Sequence, residues 1–157
     1  MGLVGAGTGT SCAKWRGFEY LVKSGIGSAV VNTPDGHQVA ALVVLNPVGD
    51  VFTLEGESLT GGSAVPPASK LPPQAMVNTT LVVVATTAAM SRAELTKLAV
   101  RSHDALGACL RPAHTRFDGD VVFVTAVAKN RGDVDLAAEG AFAATGRAIE
   151  TALRASQ

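Results

Sequence analysis

A run of eight residues at positions 79–86, Thr-Thr-Leu-Val-Val-Val-Ala-Thr, most restricts what this chain can fold into. β-Branched side chains dominate it, and they favour a pleated strand because their stiff χ1 angles fit that surface. The run has no polar alternation, which is typical of a strand buried on both faces. It therefore predicts the centre of a layered domain.

Segments on either side of this run predict further strands and helices. Residues 27–33 and 38–45 are β-rich and flank a Pro-Asp-Gly turn at 34–36, which indicates a hairpin, and residues 51–54 could add a short strand. Ser91 and Glu94 form a capping-box pattern that opens a helix to about Leu106. Residues 121–128 predict another strand, and Asp133 caps a helix to about Arg154.

Between these two halves lies a segment, residues 55–77, with two Pro-Pro pairs and a Gly-Gly pair. Proline removes a backbone donor and fixes φ, so this stretch predicts a long surface loop. The order of elements is strands, loop, strand, helix, strand, helix, which indicates an α/β or α+β layered fold. A chain of 157 residues is expected to form a single domain, 1–157, that buries roughly two-thirds of its surface.

Composition narrows the function classes. Thirteen Lys and Arg balance 13 Asp and Glu, so the chain lacks the basic character that nucleic-acid binding needs. No apolar run is long enough to cross a membrane, and the first residues do not resemble a signal peptide. Two cysteines, Cys12 and Cys109, form no metal-ligand motif and favour a reducing compartment. We expect a soluble cytoplasmic protein without a membrane or nucleic-acid partner.

The junction between the long loop and the buried run could carry chemistry. A hydroxyl residue, Thr79, stands where a flexible segment becomes rigid. Attack of its hydroxyl on the carbonyl of Asn78, followed by hydrolysis of the ester, would release a new chain that begins at Thr79. Its α-amine, with an ordinary pKa near 7.7–8.0, could then serve as a general base. The alternative is an ordinary strand start, for which threonine is also favoured.

Other candidates for the same chemistry lie near strand ends. Asp118 and Asp120, at i and i+2 before a strand, can point to one side of an extended chain, although a solvated turn is the alternative. Lys23 lies among glycines, where it could approach a site or simply face solvent. Asn46 ends a strand and could donate to an oxyanion or form a turn. His114 lies close enough to support the acidic pair by a hydrogen bond. Too few acidic ligands have the spacing for Mg²⁺ or Ca²⁺, so no metal and no cofactor is expected.

Taken together, these segments resemble the L-aminopeptidase/D-Ala-esterase family, which includes the β-peptidyl aminopeptidases and the nylon-oligomer hydrolases. The resemblance is carried downstream by N-T-T-L-V-V-V-A-T (78–86), H-D-A-L (103–106) and R-P-A-H-T-R-F-D-G-D (111–120). Upstream it is carried by G-A-G-T-G (5–9), K-S-G-I-G (23–27) and A-L-V-V-L-N-P-V-G (41–49).

The resemblance implies an N-terminal-nucleophile hydrolase with an αββα-type layered sandwich, incomplete in this chain, that hydrolyses small amides or peptides. It implies self-cleavage between Asn78 and Thr79 into 1–78 and 79–157, and a Thr79 acyl-enzyme. Asp118 and Asp120 would orient the Thr79 amine and hydroxyl. Lys23 would tune the nucleophile, and Asn46 would help to bind the oxyanion.

Members of that family are longer than this chain. Their N-terminal part lies upstream of the position that is Gly5 here, so the chain resembles their C-terminal half. The resemblance also implies a homo-oligomer, or a partner subunit that supplies the missing part. Two alternatives stay open. One is a non-catalytic fragment or assembly subunit, and the other is an acyl transferase of the ornithine acetyltransferase kind, also a self-cleaving threonine enzyme.

Overall fold

A computed structural model describes residues 1–72 and 78–157. The described residues form eight strands and two α-helices. The strands are β1 (Ser11–Cys12), β2 (Val22–Lys23), β3 (Ile26–Asn32), β4 (Gln38–Val44), β5 (Asp50–Val51), β6 (Leu81–Thr86), β7 (Leu110–Arg111) and β8 (Val121–Ala126). The helices are α1 (Arg92–Cys109) and α2 (Val134–Arg154).

The main sheet has four strands in the order β3-β4-β6-β8. β3 and β4 form the predicted antiparallel hairpin, with Ile26 opposite Val44 and Asn32 opposite Gln38. β6 is antiparallel to β4 and parallel to β8. Parallel neighbours start at the same edge of a sheet. The residues that precede β6 and β8 therefore meet at one edge, and this edge contains Thr79.

Both helices begin where the sequence predicts. Ser91 and Glu94 form a reciprocal capping box at the start of α1, and the Asp133 side chain accepts the N–H groups of Asp135 and Leu136 at the start of α2. α1 continues three residues beyond the predicted end at Leu106, because its last turn stays packed through Cys109, which is fully buried. Caps satisfy orphan N–H groups and fix where a helix starts, whereas packing decides where it stops.

The two helices pack on one face of the main sheet. The core joins alternate residues of β4 and β6 to small and branched residues of α1 and α2; its fully buried members include Val39, Val43, Val82, Val84, Leu98, Leu106, Ala148 and Ile149. The approach is closest at Gly27 of β3, where an added Cβ would lie 2.1 Å from the Ala148 carbonyl oxygen of α2. Glycine at this position lets the helix lie directly on the strand.

The prediction that residues 79–86 are buried on both faces is wrong. β6 begins only at Leu81, and along it exposed and buried residues alternate, so Val82 and Val84 are buried while Leu81 and Val83 are exposed. The described residues place a helix layer on one side of the sheet only. Apolar side chains of all four strands lie on the open side, which we call the open sheet face: Val30, Leu42, Leu81, Val83 and Phe123.

Residues 55–72 contain no α-helix or named strand, as predicted for the loop, whereas its remainder, residues 73–77, lies outside the described residues. The short strand predicted at 51–54 is reduced to β5 and a single bridge from Phe52 to Ser58. Arg16 links the loop to the rest of the domain. Its guanidinium forms a buried ion pair with the Asp50 carboxylate, at 2.7 and 2.9 Å, and donates to the carbonyl oxygen of Thr60 in the loop at 2.8 Å. Over the described residues, neither helix has the length and apolar character needed to cross a membrane.

Candidate active site

The segment Asn78–Thr80 lies beside the segment 118–120 at the edge where β6 and β8 begin. Asn78 and Asp118 form a parallel bridge, and the N–H of Val121 donates to the Thr80 carbonyl at 3.1 Å. The predicted junction and the predicted acidic pair are thus neighbours, although 40 residues separate Thr80 from Asp120 in sequence. The parallel pairing of β6 with β8 produces this proximity.

The hydroxyl of half-buried Thr79 lies against the peptide bond that precedes it. Thr79 Oγ1 donates to the carbonyl oxygen of Asn78 at 2.6 Å, and the Thr79 N–H donates to the carbonyl oxygen of Asn46 at 3.0 Å. The same Asn78 oxygen also accepts the N–H of Gly119 at 3.0 Å. A hydroxyl and the carbonyl it could attack are therefore held in contact, and both ends of the peptide unit are hydrogen-bonded.

Asp118 and Asp120 hold the two segments together. The carboxylate of Asp120 accepts the Thr80 N–H at 2.8 Å. Asp118 accepts the Val48 N–H at 3.2 Å with one oxygen, and the N–H and hydroxyl of Thr115 at 3.1 and 2.7 Å with the other. Burial raises the pKa of Asp118, the Thr115 hydroxyl lowers it, and neighbouring Asp120 raises it further. Their predicted action on the Thr79 amine and hydroxyl stays a prediction.

A buried amine that is not among the candidates predicted from the sequence is linked to this site through Asn46. Lys14 is only 4% exposed, and its Nζ donates to Asn46 Oδ1 at 2.9 Å. Burial lowers the pKa of Lys14 from 10.5 to about 8, against the opposing effects of Cys12 and Asp118. Asn46 thus meets Lys14 with its side chain and Thr79 with its carbonyl. Its predicted donation to an oxyanion stays a prediction.

The structure does not bring Lys23 to this cluster. Lys23 is exposed on β2, opposite Ser11 of β1, and within residues 1–72 and 78–157 no described contact joins it to Thr79, Asn46 or the acidic pair. In the sequence, Lys23 is a candidate because glycines lie close to it. The signal for Lys14 was weaker: a lone lysine between Ala13 and Trp15, in a stretch with few other charges.

His114 contacts the acidic pair from the outside. Its Nδ1 lies 3.2 Å from Asp120 Oδ2, and its Nε2 lies 3.4 Å from the carbonyl oxygen of His103. Since Asp120 also binds the Thr80 N–H, His114 is linked to the junction through one carboxylate. Its predicted supporting role stays a prediction.

A pocket of about 150 Å³ opens at the junction. It is lined by Asn78, Thr79, Arg116, Phe117, Asp118 and Gly119. Phe117, one of these lining residues, also packs with Val48 and Leu71 in a small cluster against Trp15. Among residues 1–72 and 78–157, no group of three or more His, Cys, Asp or Glu side chains is arranged to hold a metal ion.

Comparison with known proteins gives consistent results. The sequence matches peptidase family S58 over residues 1–157. A protein of Mycobacterium leprae named an uncharacterized aminopeptidase is 35% identical over 140 residues, which cover 80% of this chain and 37% of that protein. A protein of the same description from Mycobacterium bovis is 34% identical over 123 residues, which cover 67% of this chain and 36% of that protein. The chain therefore spans little more than a third of the length of these relatives.

Solved structures show the same fold. The L-aminopeptidase D-Ala-esterase/amidase of Ochrobactrum anthropi, described as a variant of the Ntn hydrolase fold, superposes with a TM-score of 0.69 at 23% identity. The β-aminopeptidase of a Burkholderia species superposes with a TM-score of 0.61 at 23% identity. Each superposition covers 99% of this chain and 45% of the solved chain. The α/β fold of this chain is thus similar to that of these two aminopeptidases, as the sequence resemblance implied.

Proposed function

Because this chain belongs to peptidase family S58, we propose that it carries the catalytic centre of a self-processing amide hydrolase with Thr79 as its nucleophile. The observation that carries the proposal is the 2.6 Å contact between the Thr79 hydroxyl and the Asn78 carbonyl oxygen. A strand could begin with threonine without this contact. Here the hydroxyl lies on the peptide bond whose cleavage would make Thr79 an N-terminal nucleophile.

Self-cleavage would proceed in two balanced steps. Thr79 Oγ1 bonds to the carbonyl carbon of Asn78, the C–N bond breaks, and the hydroxyl proton passes to the Thr79 nitrogen, leaving an ester and a free amine. Water then adds to the ester carbonyl and the C–O bond breaks. The products are the Asn78 carboxyl group and a restored Thr79 hydroxyl with a free α-amine as a nearby base.

The neighbours of Thr79 suit the second reaction, hydrolysis of a substrate amide through a Thr79 acyl-enzyme. The Asn46 carbonyl oxygen, which accepts the Thr79 N–H at 3.0 Å, would hold the new α-amine. Lys14, held on Asn46, would add positive charge near that amine and lower its pKa. Asp118 and Asp120 would fix the segment that faces the nucleophile.

The substrate class follows from the relatives. Proteins that this chain matches are named aminopeptidases, and one structural neighbour is named an aminopeptidase, esterase and amidase. We therefore assign small amides or peptides, with nylon-type oligomers as one class to test. Partner or homo-oligomer formation is part of the proposal, because the open sheet face exposes Phe123 by 59% and Leu42 by 42%, and such a surface favours association.

The deciding experiment is the mass of the freshly made protein under denaturing conditions. Wild-type chain should separate into residues 1–78 and 79–157, and Thr79→Ala should stay intact and lose turnover of amide substrates. Thr151→Ala is the matched control and should cleave like wild type, because it is a change of the same size on helix α2, where the Thr151 hydroxyl donates to the Arg147 carbonyl of the same helix. A Thr79→Ala protein that still splits after Asn78 would refute the proposed nucleophile.

A further inference from the structure

We propose that the backbone N–H of Gly119 is the oxyanion donor for self-cleavage, and that position 119 must lack a side chain for the Thr79 hydroxyl to attack. This inference rests on the proposed function. It assigns a backbone group, rather than a side chain, to the first step.

The argument begins with the charge that the first step creates. When Thr79 Oγ1 bonds to the Asn78 carbon, the carbonyl oxygen gains negative charge until the C–N bond breaks. In the uncut chain that oxygen accepts two donors, the Thr79 hydroxyl at 2.6 Å and the Gly119 N–H at 3.0 Å. The hydroxyl gives up its proton as it attacks, so it stops donating. The Gly119 N–H stays in place and faces the oxygen as its charge grows.

Preorganisation makes such a donor effective, because the group does not have to reorient during the reaction. Gly119 is fixed on both sides. Asp118 is held by Val48 and Thr115, and Asp120 is held by the Thr80 N–H. The hydrogen bonds of Asp118 and Asp120 therefore fix the orientation of the N–H at position 119.

The absence of a side chain at position 119 is also explained by the contact distances. A Cβ built there would lie 2.9 Å from Thr79 Oγ1 and 3.8 Å from the Asn78 carbonyl oxygen. The first distance is shorter than real Cβ contacts, so either the hydroxyl or the 118–120 segment would have to shift. Glycine thus lets the donor and the nucleophile approach the same carbonyl group.

The test measures the time course of cleavage in chains made by cell-free synthesis and sampled under denaturing conditions. Gly119→Pro removes the N–H but adds the same Cβ as Gly119→Ala, so the effect of the donor is the ratio between these two variants. We expect the rate constant of Gly119→Pro to lie about 10²–10³-fold below that of Gly119→Ala, the loss typical of one oxyanion donor. The final cleaved fraction should stay as in wild type, because a donor to the transition state changes the rate and not the end point. A purely structural role would instead leave part of the chain permanently uncut.

Gly119→Ala keeps the N–H, so it is the reference for the proline variant and by itself tests the need for a missing side chain at position 119. Its Cβ should slow cleavage at least about tenfold, since misplacing a reacting group by about 1 Å can cost about 10²-fold. Gly107→Ala is the matched control, because a Cβ there meets no atom within 4 Å on helix α1.

The outcomes separate this inference from the proposed function. A wild-type chain that never splits, or a Thr79→Ala chain that does, refutes self-cleavage by Thr79 and this inference with it. If the wild type splits, a Gly119→Pro rate constant equal to that of Gly119→Ala refutes the donor role of Gly119 alone. A folded Gly119→Ala with the wild-type rate constant refutes the need for a missing side chain there. A reduced cleaved fraction at an unchanged rate constant also refutes the donor role.

Discussion

Replacing Lys14 with methionine should remove a pH dependence from the stability of this protein. Lys14 is buried, and burial lowers its pKa from 10.5 to about 8. Each pH unit of difference corresponds to about 1.4 kcal/mol, so carrying this charge costs the folded state about 3 kcal/mol at neutral pH. Methionine has a similar length and no charge. Lys14→Met should therefore raise the free energy of unfolding at pH 7 by up to that amount.

The sign of the pH effect follows from proton counts. Between pH 8 and pH 10.5 the unfolded chain still holds the Lys14 proton, whereas the folded chain has released it. The free energy of unfolding therefore rises as the pH is raised from 8 to 10.5, and this gain is lost as the pH is lowered from 10.5 to 8. At pH 9.5 the protein with Lys14 should have gained about 2 kcal/mol relative to pH 7, a gain that the methionine variant lacks.

Urea unfolding at pH 7, 8, 9 and 9.5 measures this difference. Both proteins should carry Thr79→Ala, so that the chain stays uncut, and all other titrating groups cancel in the comparison. Lys23→Met is the matched control, because it makes the same change of residue type at an exposed position. Parallel pH curves for the Lys14→Met protein and its parent would show that Lys14 is not a buried charge.

Three further changes test the fold and the site by the same unfolding assay. Gly27→Ala should lower the free energy of unfolding by at least about 1–3 kcal/mol, because its Cβ would lie 2.1 Å from a helix carbonyl oxygen. Gly9→Ala, with open space around its Cβ, should leave the free energy of unfolding nearly unchanged. Equal effects of the two substitutions would contradict the close packing of β3 on α2. Ser91→Ala should cost about 1 kcal/mol through loss of the capping box, and an unchanged midpoint would mean that the cap is not formed in solution. Asp118→Asn should lower the free energy of unfolding by about 1–3 kcal/mol, although it removes a buried charge, because its NH₂ group must face an N–H donor. A stabilised variant would show that burial of the charge outweighs these hydrogen bonds.

Local signals in the sequence predicted most of the elements. The turn at 34–36, the capping box at Ser91 and the cap at Asp133 each act within a few residues, and all three stand where predicted. The acidic pair could also be placed near the junction, but only through the resemblance. Its proximity to Thr79 depends on β8 lying parallel to β6, and a parallel pairing leaves no local signature.

Two features could not be predicted from the sequence because they depend on what covers a residue. The run at 79–86 is apolar on both faces, yet only the face with Val82 and Val84 meets the helices. The sequence does not single out Lys14 for the same reason. Glycine neighbours made Lys23 plausible, but burial follows from three-dimensional packing, and the chain turns Lys14 inward onto Asn46.

The position of the proposed cut within the main sheet has a consequence for unfolding. Strands β3 and β4 precede Asn78, whereas β6, β8 and both helices follow it, so one sheet and one core would be built from two polypeptides. Six residue pairs between β4 and β6 would then join separate chains. Before the cut, refolding is an intramolecular event. After it, refolding requires two chains to meet, so the melting temperature should become dependent on concentration and the molecule would behave as an obligate heterodimer made from one translation product.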